Sequence, residues 1–339
     1  MSSLRAPSRE VIRHARLLVT IPQELNATDI ARLASAVDEL IVVRCATARE
    51  VSDAVRMHPR ANCLLTTAAP DAVPVNSGLQ WAQLASSGIE HTRDSPLWDL
   101  SGVVVTNASG VYTKAIAEWV ILAILWRTHQ AAQFARFHHH RRWPVGAEIE
   151  GSRSRSLAGR TVGIIGFGSI GREVSRLAIA LGLEVLATTP TRAIEPDATS
   201  TSVTFVDREN LPHVLRESDF VCLSAPATRG TRRMIGGPEL RLMRPDAMLI
   251  NIARGAHVDE AALAAHLRSS PEFFAALDVF SEEPLPPTSP LFDHENVLLS
   301  PHVSGVAVGN DSYLIDLVVR NADNFRSGAP MTNAVDAPY

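Results

Sequence analysis

Residues 159–174 read GRTVGIIGFGSIGREV. Thr161–Ile165 is a short, almost wholly apolar run, the pattern of a strand buried on both faces of a parallel sheet. Gly166, Gly168 and Gly171 follow as G-x-G-x-x-G, and Val174, Leu177, Ala178 and Leu181 then recur at helical spacing. Strand, glycine turn and helix therefore come in order. The first glycine permits the tight turn, the second lets the backbone approach a pyrophosphate, and the third allows the helix to pack closely on the strand. An anion then rests on the helix N-terminus. This context predicts a dinucleotide site built by Gly166, Gly168, Ser169, Ile170 and Gly171. Glycine turns also occur in methyltransferases and in loops without function, so the remainder of the chain has to support the assignment.

The composition around this motif is that of a globular protein. A chain of 339 residues can form two domains and a substantial core. Its 46% hydrophobic and 20% charged residues are ordinary values. A formal net charge of −4 gives no electrostatic reason to expect nucleic acid or an anionic membrane as partner. Lys114 is the only lysine. Cys45, Cys63 and Cys222 are widely spaced, lack a CxxC pair and lie in or beside apolar runs. That pattern predicts buried free thiols in a reducing compartment rather than disulfides or a metal site. No apolar run approaches the roughly 18 residues of a membrane span, and no apolar segment near the N-terminus leads into a cleavage site. The expected location is cytoplasmic.

Residues 1–106 read as a first α/β unit. Strands are expected at Arg16–Ile21, Glu39–Cys45, Cys63–Thr67, Trp81–Ala85 and Val103–Thr106, with helices at Asp29–Leu40 and Ala48–Met57. Ser86-Ser87-Gly88-Ile89-Glu90 follows one strand as a small turn, either a backbone nest for a carboxylate or an ordinary connection. Val111–Arg127 is a long apolar helix, with Ala115, Trp119, Leu122, Ala123 and Trp126 on one face, and suits a connector or an oligomer surface. Phe137–Trp143 (FHHHRRW) holds three adjacent histidines. Consecutive helical residues point in different directions, so a solvated helix end fits better than a metal site. Gly146–Ser156 is a polar connection. From Gly159 onward, strands at Glu184–Thr188, Ser202–Val206, Phe220–Ser224, Ala247–Ile252, Phe274–Asp278 and Val297–Ser300 mostly alternate with helices. This succession implies a parallel sheet with right-handed crossovers. Pro284–Pro290 reads as a stiff loop, Gly305–Phe325 as a final helical region and 328–339 as a short tail.

Ligands of open α/β sheets bind at the carboxyl ends of the strands. That rule selects few residues here. Asn251-Ile252-Ala253-Arg254-Gly255 closes one strand, Asp278 ends the next with Glu282 and Glu283 beyond it, and His302 follows the last. Taken singly, Arg254, Glu283 and His302 read as an ion pair, a solvated acid and a turn residue. Together, on the rim that carries the glycine turn, they favour catalysis. Guanidinium can grip a carboxylate and polarise the adjacent carbonyl. Histidine can deliver a proton as hydride reaches carbon, with a paired carboxylate to orient it. The chemistry implied is reduction of a 2-keto acid to a 2-hydroxy acid, or the reverse.

These stretches resemble the D-isomer-specific 2-hydroxyacid dehydrogenases, most closely the glyoxylate/hydroxypyruvate reductase branch. The matching segments are SSGIE (86–90), VVVTNASGVYTKAIAEWV (103–120), the glycine motif, NIARGAHVDEAAL (251–263), ALDVFSEEPL (276–285) and SPHVSG (300–305). They run from about residue 79 to the end, whereas 1–78 match only in general pattern. The resemblance implies that Arg254 clamps the substrate and that His302 is the acid/base. Glu283 would be its partner, because the family acid lies five residues after the aspartate, here Asp278. Asp278 would bind the nicotinamide carboxamide, with Pro226, Ala253 and Gly305 as further cofactor contacts. Ser87, Gly88 and Ile89 would hold the substrate carboxylate. The implied fold is two doubly wound parallel-sheet domains: a Rossmann cofactor domain (107–303) inserted into a flavodoxin-like substrate domain (1–106 and 304–339). Catalysis in the interdomain cleft and a homodimer formed through the cofactor domain are implied as well.

Departures from the family pattern also carry information. Thr189 replaces the acid that ends the second strand and binds the adenosine ribose, and Arg192 lies close by in sequence. Loss of that carboxylate removes the repulsion of a 2′-phosphate, which favours NADP over NAD. Trp119 and Ser224 stand where many relatives have histidine, and sequence does not assign them roles. A short-chain dehydrogenase would need YxxxK, which Tyr112 and Lys114 do not form. A formate dehydrogenase would have glutamine in place of Glu283, and a phosphoglycerate dehydrogenase with a regulatory domain would need more chain after Phe325. The alternative from another class is a nucleotide-sensing, corepressor-like binding protein on the same fold.

Overall fold

The computed structural model describes residues 13–74, 77–151, 153–189 and 202–337. The chain divides into two compact units, Met1–Tyr112 with Val308–Tyr339, and Thr113–Ala307.

In the first unit, strands β1 (Arg16–Thr20), β2 (Glu39–Val42), β3 (Cys63–Thr66), β4 (Trp81–Leu84) and β5 (Val104–Thr106) form one sheet in the order 2-1-3-4-5. These strands are parallel, and the order is that of flavodoxin-like sheets. Helices α1 (Ala27–Ala36) and α2 (Ala48–Met57) are started by side chains: Asn26 caps α1, and Thr47 with Glu50 forms a capping box on α2. Strand alternation sends Leu17 and Val19 to one core, with Leu33 of α1, and Leu18 to the other, with Val51 and Val55 of α2.

The second unit holds strands β6 (Thr161–Ile165), β7 (Glu184–Thr189), β8 (Val203–Asp207), β9 (Phe220–Leu223), β10 (Met248–Asn251), β11 (Phe274–Leu277) and β12 (Val297–Leu299). All are parallel, in the order 8-7-6-9-10-11-12, which is the 3-2-1-4-5-6 Rossmann order with a seventh strand added. Helices α3 (Thr113–Thr128), α4 (Ala131–His139) and α5 (Ala147–Gly151) precede the sheet; α6 (Ser169–Ala180), α7 (Leu211–Glu217), α8 (Gly237–Leu240) and α9 (Glu260–Ser269) are interleaved with it. Ala117 of α3 and Val174 of α6 share one core, and Leu215, Leu240 and Leu263 share the core on the opposite face. The sheet order therefore reverses between β6 and β9, where a nucleotide-binding crevice is expected. The final helix, α10 (Asn310–Ser327), returns to the first unit and packs Leu314, Val318 and Phe325 into its core, with Phe325 stacked on Trp81.

The expected fold class holds, with local corrections. Helix α1 ends at Ala36 rather than Leu40, because Leu40 pairs with Leu17 in the sheet. The last helical region begins at Asn310 rather than Gly305, since Gly309 adopts φ +94°. The tail contributes strand β13 (Ala334–Val335), antiparallel to β5, so the first sheet is not wholly parallel. The polar connection after residue 146 contains the short helix α5. On α3 the buried residues are Ala117, Val120, Ala123, Ile124 and Thr128, while Leu122 is exposed. That helix is apolar nearly all round, so spacing did not single out the packed face. Cys45, Cys63 and Cys222 are free and buried, and burial pushes the Cys63 and Cys222 thiols up to about 12.

Candidate active site

The glycine turn closes β6 and opens α6. Gly166 has φ +101°, and a Cβ there would stand 2.6 Å from the Ala225 backbone. A Cβ on Gly171 would stand 2.4 Å from the Gly166 carbonyl oxygen, so helix and strand meet without room for a side chain. At Gly168 a Cβ would meet nothing within 4 Å: this position faces open space. Gly168 is also the N-cap of α6 and provides no side-chain acceptor. The first N–H groups of the helix, from Ser169, Ile170 and Gly171, have no intrahelical acceptor. This cradle fits a pyrophosphate. Ser224, just past β9, donates its hydroxyl to the Gly166 carbonyl at 2.6 Å and braces the turn across the switch point.

Arg254 follows β10. Asn251 is buried and organises the turn: its Oδ1 accepts from the Ala253 N–H at 3.1 Å, and its Nδ2 donates to the Arg254 carbonyl at 2.9 Å. An Arg254 terminal nitrogen donates to the Ala253 carbonyl at 2.6 Å. Gly255 is packed against the next strand's loop, and a Cβ there would come 1.9 Å from the Phe280 carbonyl carbon. The Arg254 turn and the segment leading to Glu283 are thus in backbone contact.

Asp278 is fully buried at the end of β11. One carboxylate oxygen accepts from the Ser300 hydroxyl at 2.6 Å and the Val303 N–H at 2.8 Å; the other accepts from the Ser304 N–H at 3.0 Å. Its carbonyl accepts from the His302 N–H at 2.8 Å. Four bonds from one residue therefore fix the turn that carries His302. That turn needs fixing: His302 sits at φ +55°, a left-handed conformation costing about 1–3 kcal/mol for a non-glycine residue. The His302 Nδ1 meets Glu283 Oε2 at 2.7 Å, and Glu283 Oε1 accepts from the Phe280 N–H at 2.9 Å. Since the carboxylate only accepts, Nδ1 carries a proton and the imidazole is aimed by its partner.

In the first unit, the Ser86–Ile89 turn follows β4. Ser87 donates its hydroxyl to the Ala108 carbonyl at 3.0 Å, and its own carbonyl accepts from Asn107 Nδ2 at 2.7 Å. Asn333 in turn holds the carbonyls of Asn107 and Ser109. Among the described residues no protein acceptor meets the N–H groups of Ser87, Gly88 or Ile89. A turn with its side chains and carbonyls tied back and its amides left over is a nest.

The structure thus brings Arg254, Glu283 and His302 to the carboxyl ends of adjacent strands, with Ala253 and Asp278 in the same turns. Pro226 lies just beyond β9, its carbonyl accepting from the Thr231 hydroxyl at 2.9 Å, and Gly305 follows the Asp278-held turn. Thr189 ends the backbone of β7, while Arg192 lies outside the described residues. Trp119 packs against the core of its own unit. Sequence reading missed the bracing by Ser224 and the anchoring by Asn251, Asn107 and Asp278. Sequence marks Ser224 as a departure without assigning it a role, and marks Asp278 for a different contact. Among the described residues no three His, Cys, Asp or Glu side chains cluster as a metal site, and no helix is long and apolar enough to cross a membrane.

Comparison with known proteins gives the family. Residues 119–304 match the family model described as D-isomer specific 2-hydroxyacid dehydrogenase, NAD binding domain. A glyoxylate reductase of Thermococcus gammatolerans is 37% identical over 230 residues, 67% of each chain. A second, from Thermofilum pendens, is 32% identical over 263 residues, 76% of each chain. The D-isomer specific 2-hydroxyacid dehydrogenase of Xanthobacter autotrophicus Py2, solved in complex with NADPH and MES, superposes with a TM-score of 0.74 at 25% identity. That match covers 96% of this chain and 99% of the other. The corepressor-like alternative finds no support among these relatives. The chain belongs to the D-isomer specific 2-hydroxyacid dehydrogenase family and is an NAD(P)-dependent oxidoreductase of small 2-keto and 2-hydroxy acids.

Proposed function

We propose that Arg254, His302 and Glu283 carry out the reduction of a small 2-keto acid of the glyoxylate/hydroxypyruvate type to its D-2-hydroxy acid. The observation behind this reading is the His302–Glu283 contact of 2.7 Å on a turn in backbone contact with that of Arg254. When bound, the reduced nicotinamide supplies the hydride. Arg254 grips the substrate carboxylate and draws electron density from the adjacent carbonyl. His302, held through Nδ1, donates the Nε2 proton to the carbonyl oxygen as it becomes a hydroxyl. Glu283 keeps the ring oriented and balances its charge. The Ser87, Gly88 and Ile89 amides offer a second carboxylate-binding set. Met1–Tyr112 with Val308–Tyr339 then serves as substrate domain and Thr113–Ala307 as cofactor domain.

Within this reading the α6 turn holds the pyrophosphate, and Pro226, Ala253 and Gly305 line the same site. Asp278, expected from the resemblance to meet the nicotinamide carboxamide, is fully buried and commits its carboxylate to the His302 turn. NADP is preferred: Thr189 brings no carboxylate to the end of β7, and the Xanthobacter relative was solved with NADPH. A cytoplasmic homodimer completes the proposal, on the family resemblance and the three free buried cysteines.

The test is oxidation of NADPH and NADH with glyoxylate, hydroxypyruvate, pyruvate and phenylpyruvate. Arg254→Ala is expected to impair keto-acid turnover far more than NADPH binding, and His302→Ala to abolish most turnover with nucleotide binding retained. Equal loss of both properties in Arg254→Ala would make Arg254 structural.

A further inference from the structure

We infer that His257 is a positioning residue for Arg254, acting through the Arg254 backbone carbonyl. His257 closes the short turn Gly255–His257 that follows Arg254, and it is only 1% exposed. Its Nδ1 lies 3.0 Å from the Arg254 carbonyl, and its Nε2 lies 3.3 Å from the Pro226 carbonyl. One buried ring therefore spans from the turn that bears the guanidinium to the loop after β9. The backbone repeats the connection. Arg233 N–H donates to the Ala256 carbonyl at 2.7 Å, and Ile235 N–H donates to the His257 carbonyl at 3.0 Å.

The chemistry of the two contacts is unequal. A neutral imidazole has one N–H to give to these two carbonyls, which only accept. We assign the proton to Nδ1, the shorter of the two contacts. With Asn251 Nδ2 at 2.9 Å, it makes two side-chain donors on the Arg254 carbonyl, one from each side of the residue in sequence. Those donors hold Arg254 extended, at φ −152° and ψ 145°, and so set the direction in which its side chain leaves the rim. An aliphatic residue at position 257 would fill the space but supply no donor. The Arg254 carbonyl would keep the Asn251 donor and the backbone N–H of position 257 but lose the ring donor.

This inference rests on Arg254 being the substrate clamp, and the experiment separates the two. Wild type, Arg254→Ala, His257→Leu, His257→Gln and His257→Asn are compared for glyoxylate and hydroxypyruvate KM, kcat, NADPH Kd and Tm. Asparagine places an amide N–H where Nδ1 stands; glutamine places it at Nε2. His257→Leu and His257→Gln are expected to raise the keto-acid KM about fivefold, the loss of one neutral hydrogen bond, with kcat and NADPH Kd little changed. His257→Asn is expected to restore KM. If His257→Leu fails to fold, the contrast between Gln and Asn carries the test. An unchanged KM in the Leu and Gln proteins, or an equal rise in Gln and Asn, overturns the inference. An unchanged KM in Arg254→Ala overturns the clamp itself.

Discussion

Gly255→Ala is the sharpest perturbation available, because it touches no reacting group. The added Cβ would stand 1.9 Å from the Phe280 carbonyl carbon, 2.2 Å from its oxygen and 2.2 Å from the Ser281 nitrogen, where ordinary contact begins near 3.4 Å. These are backbone atoms and cannot rotate aside, so the two segments must part by about 1.5 Å in a close-packed interior. Phe280 N–H is the donor that fixes Glu283 Oε1 at 2.9 Å, and Ser281 N–H is tied to Glu260 at 2.6 Å. Phe280 and Glu283 sit on the same displaced segment, so a shift of that size carries Glu283 away from His302 and takes their 2.7 Å contact beyond hydrogen-bonding range. Misplacement of a catalytic group by about 1 Å costs on the order of a hundredfold in rate. Overpacking should also lower stability by about 1–3 kcal/mol. Steady-state kinetics with the preferred keto acid, NADPH titration by fluorescence and a thermal melt give the three readouts. We expect kcat to fall about a hundredfold with nucleotide affinity retained, since the α6 cradle is built from other residues. Wild-type kcat with only a lower Tm would refute the reasoning, and so would a loss of nucleotide binding as large as the loss of turnover.

Two further outcomes are expected. Thr189→Asp should shift the ratio of kcat/KM values toward NADH by restoring a carboxylate at the end of β7; an unchanged ratio counts against the ribose-site assignment. The pH dependence of stability should show His266. Burial, and then Arg241, hold this imidazole below its usual value of 6.5, with the ring edge-on to Phe273. The unfolded chain therefore takes up a proton first as pH falls, and the stabilisation present above 6.5 is lost as pH drops toward the lower folded value. Urea midpoints measured from pH 7.5 down to about 5.5 should fall more steeply for wild type than for His266→Leu. Parallel slopes would remove His266 from the account.

The strand, the glycine turn and helix α6 were legible from residues 159–181, because their signals act over a few residues: apolar runs, glycine spacing and helical period. The strand-end rule grouped Arg254, Glu283 and His302 without any structure, since each follows a recognisable apolar strand by a few residues. It did not show how they are held. Asp278 anchors the His302 turn through bonds to residues 300, 302, 303 and 304, and Gly255 meets Phe280. His257 reaches Pro226, and β13 joins β5 from the far end of the chain. These contacts depend on sheet register. Asn251 pairs with Leu277, and Leu277 pairs with Leu299, which levels the ends of β10, β11 and β12 and brings their following turns into contact. Residue types and their local spacing were enough to name the chemistry. The placing of those groups to within a hydrogen bond followed from strands pairing side by side across long stretches of sequence, an arrangement that no local pattern encodes.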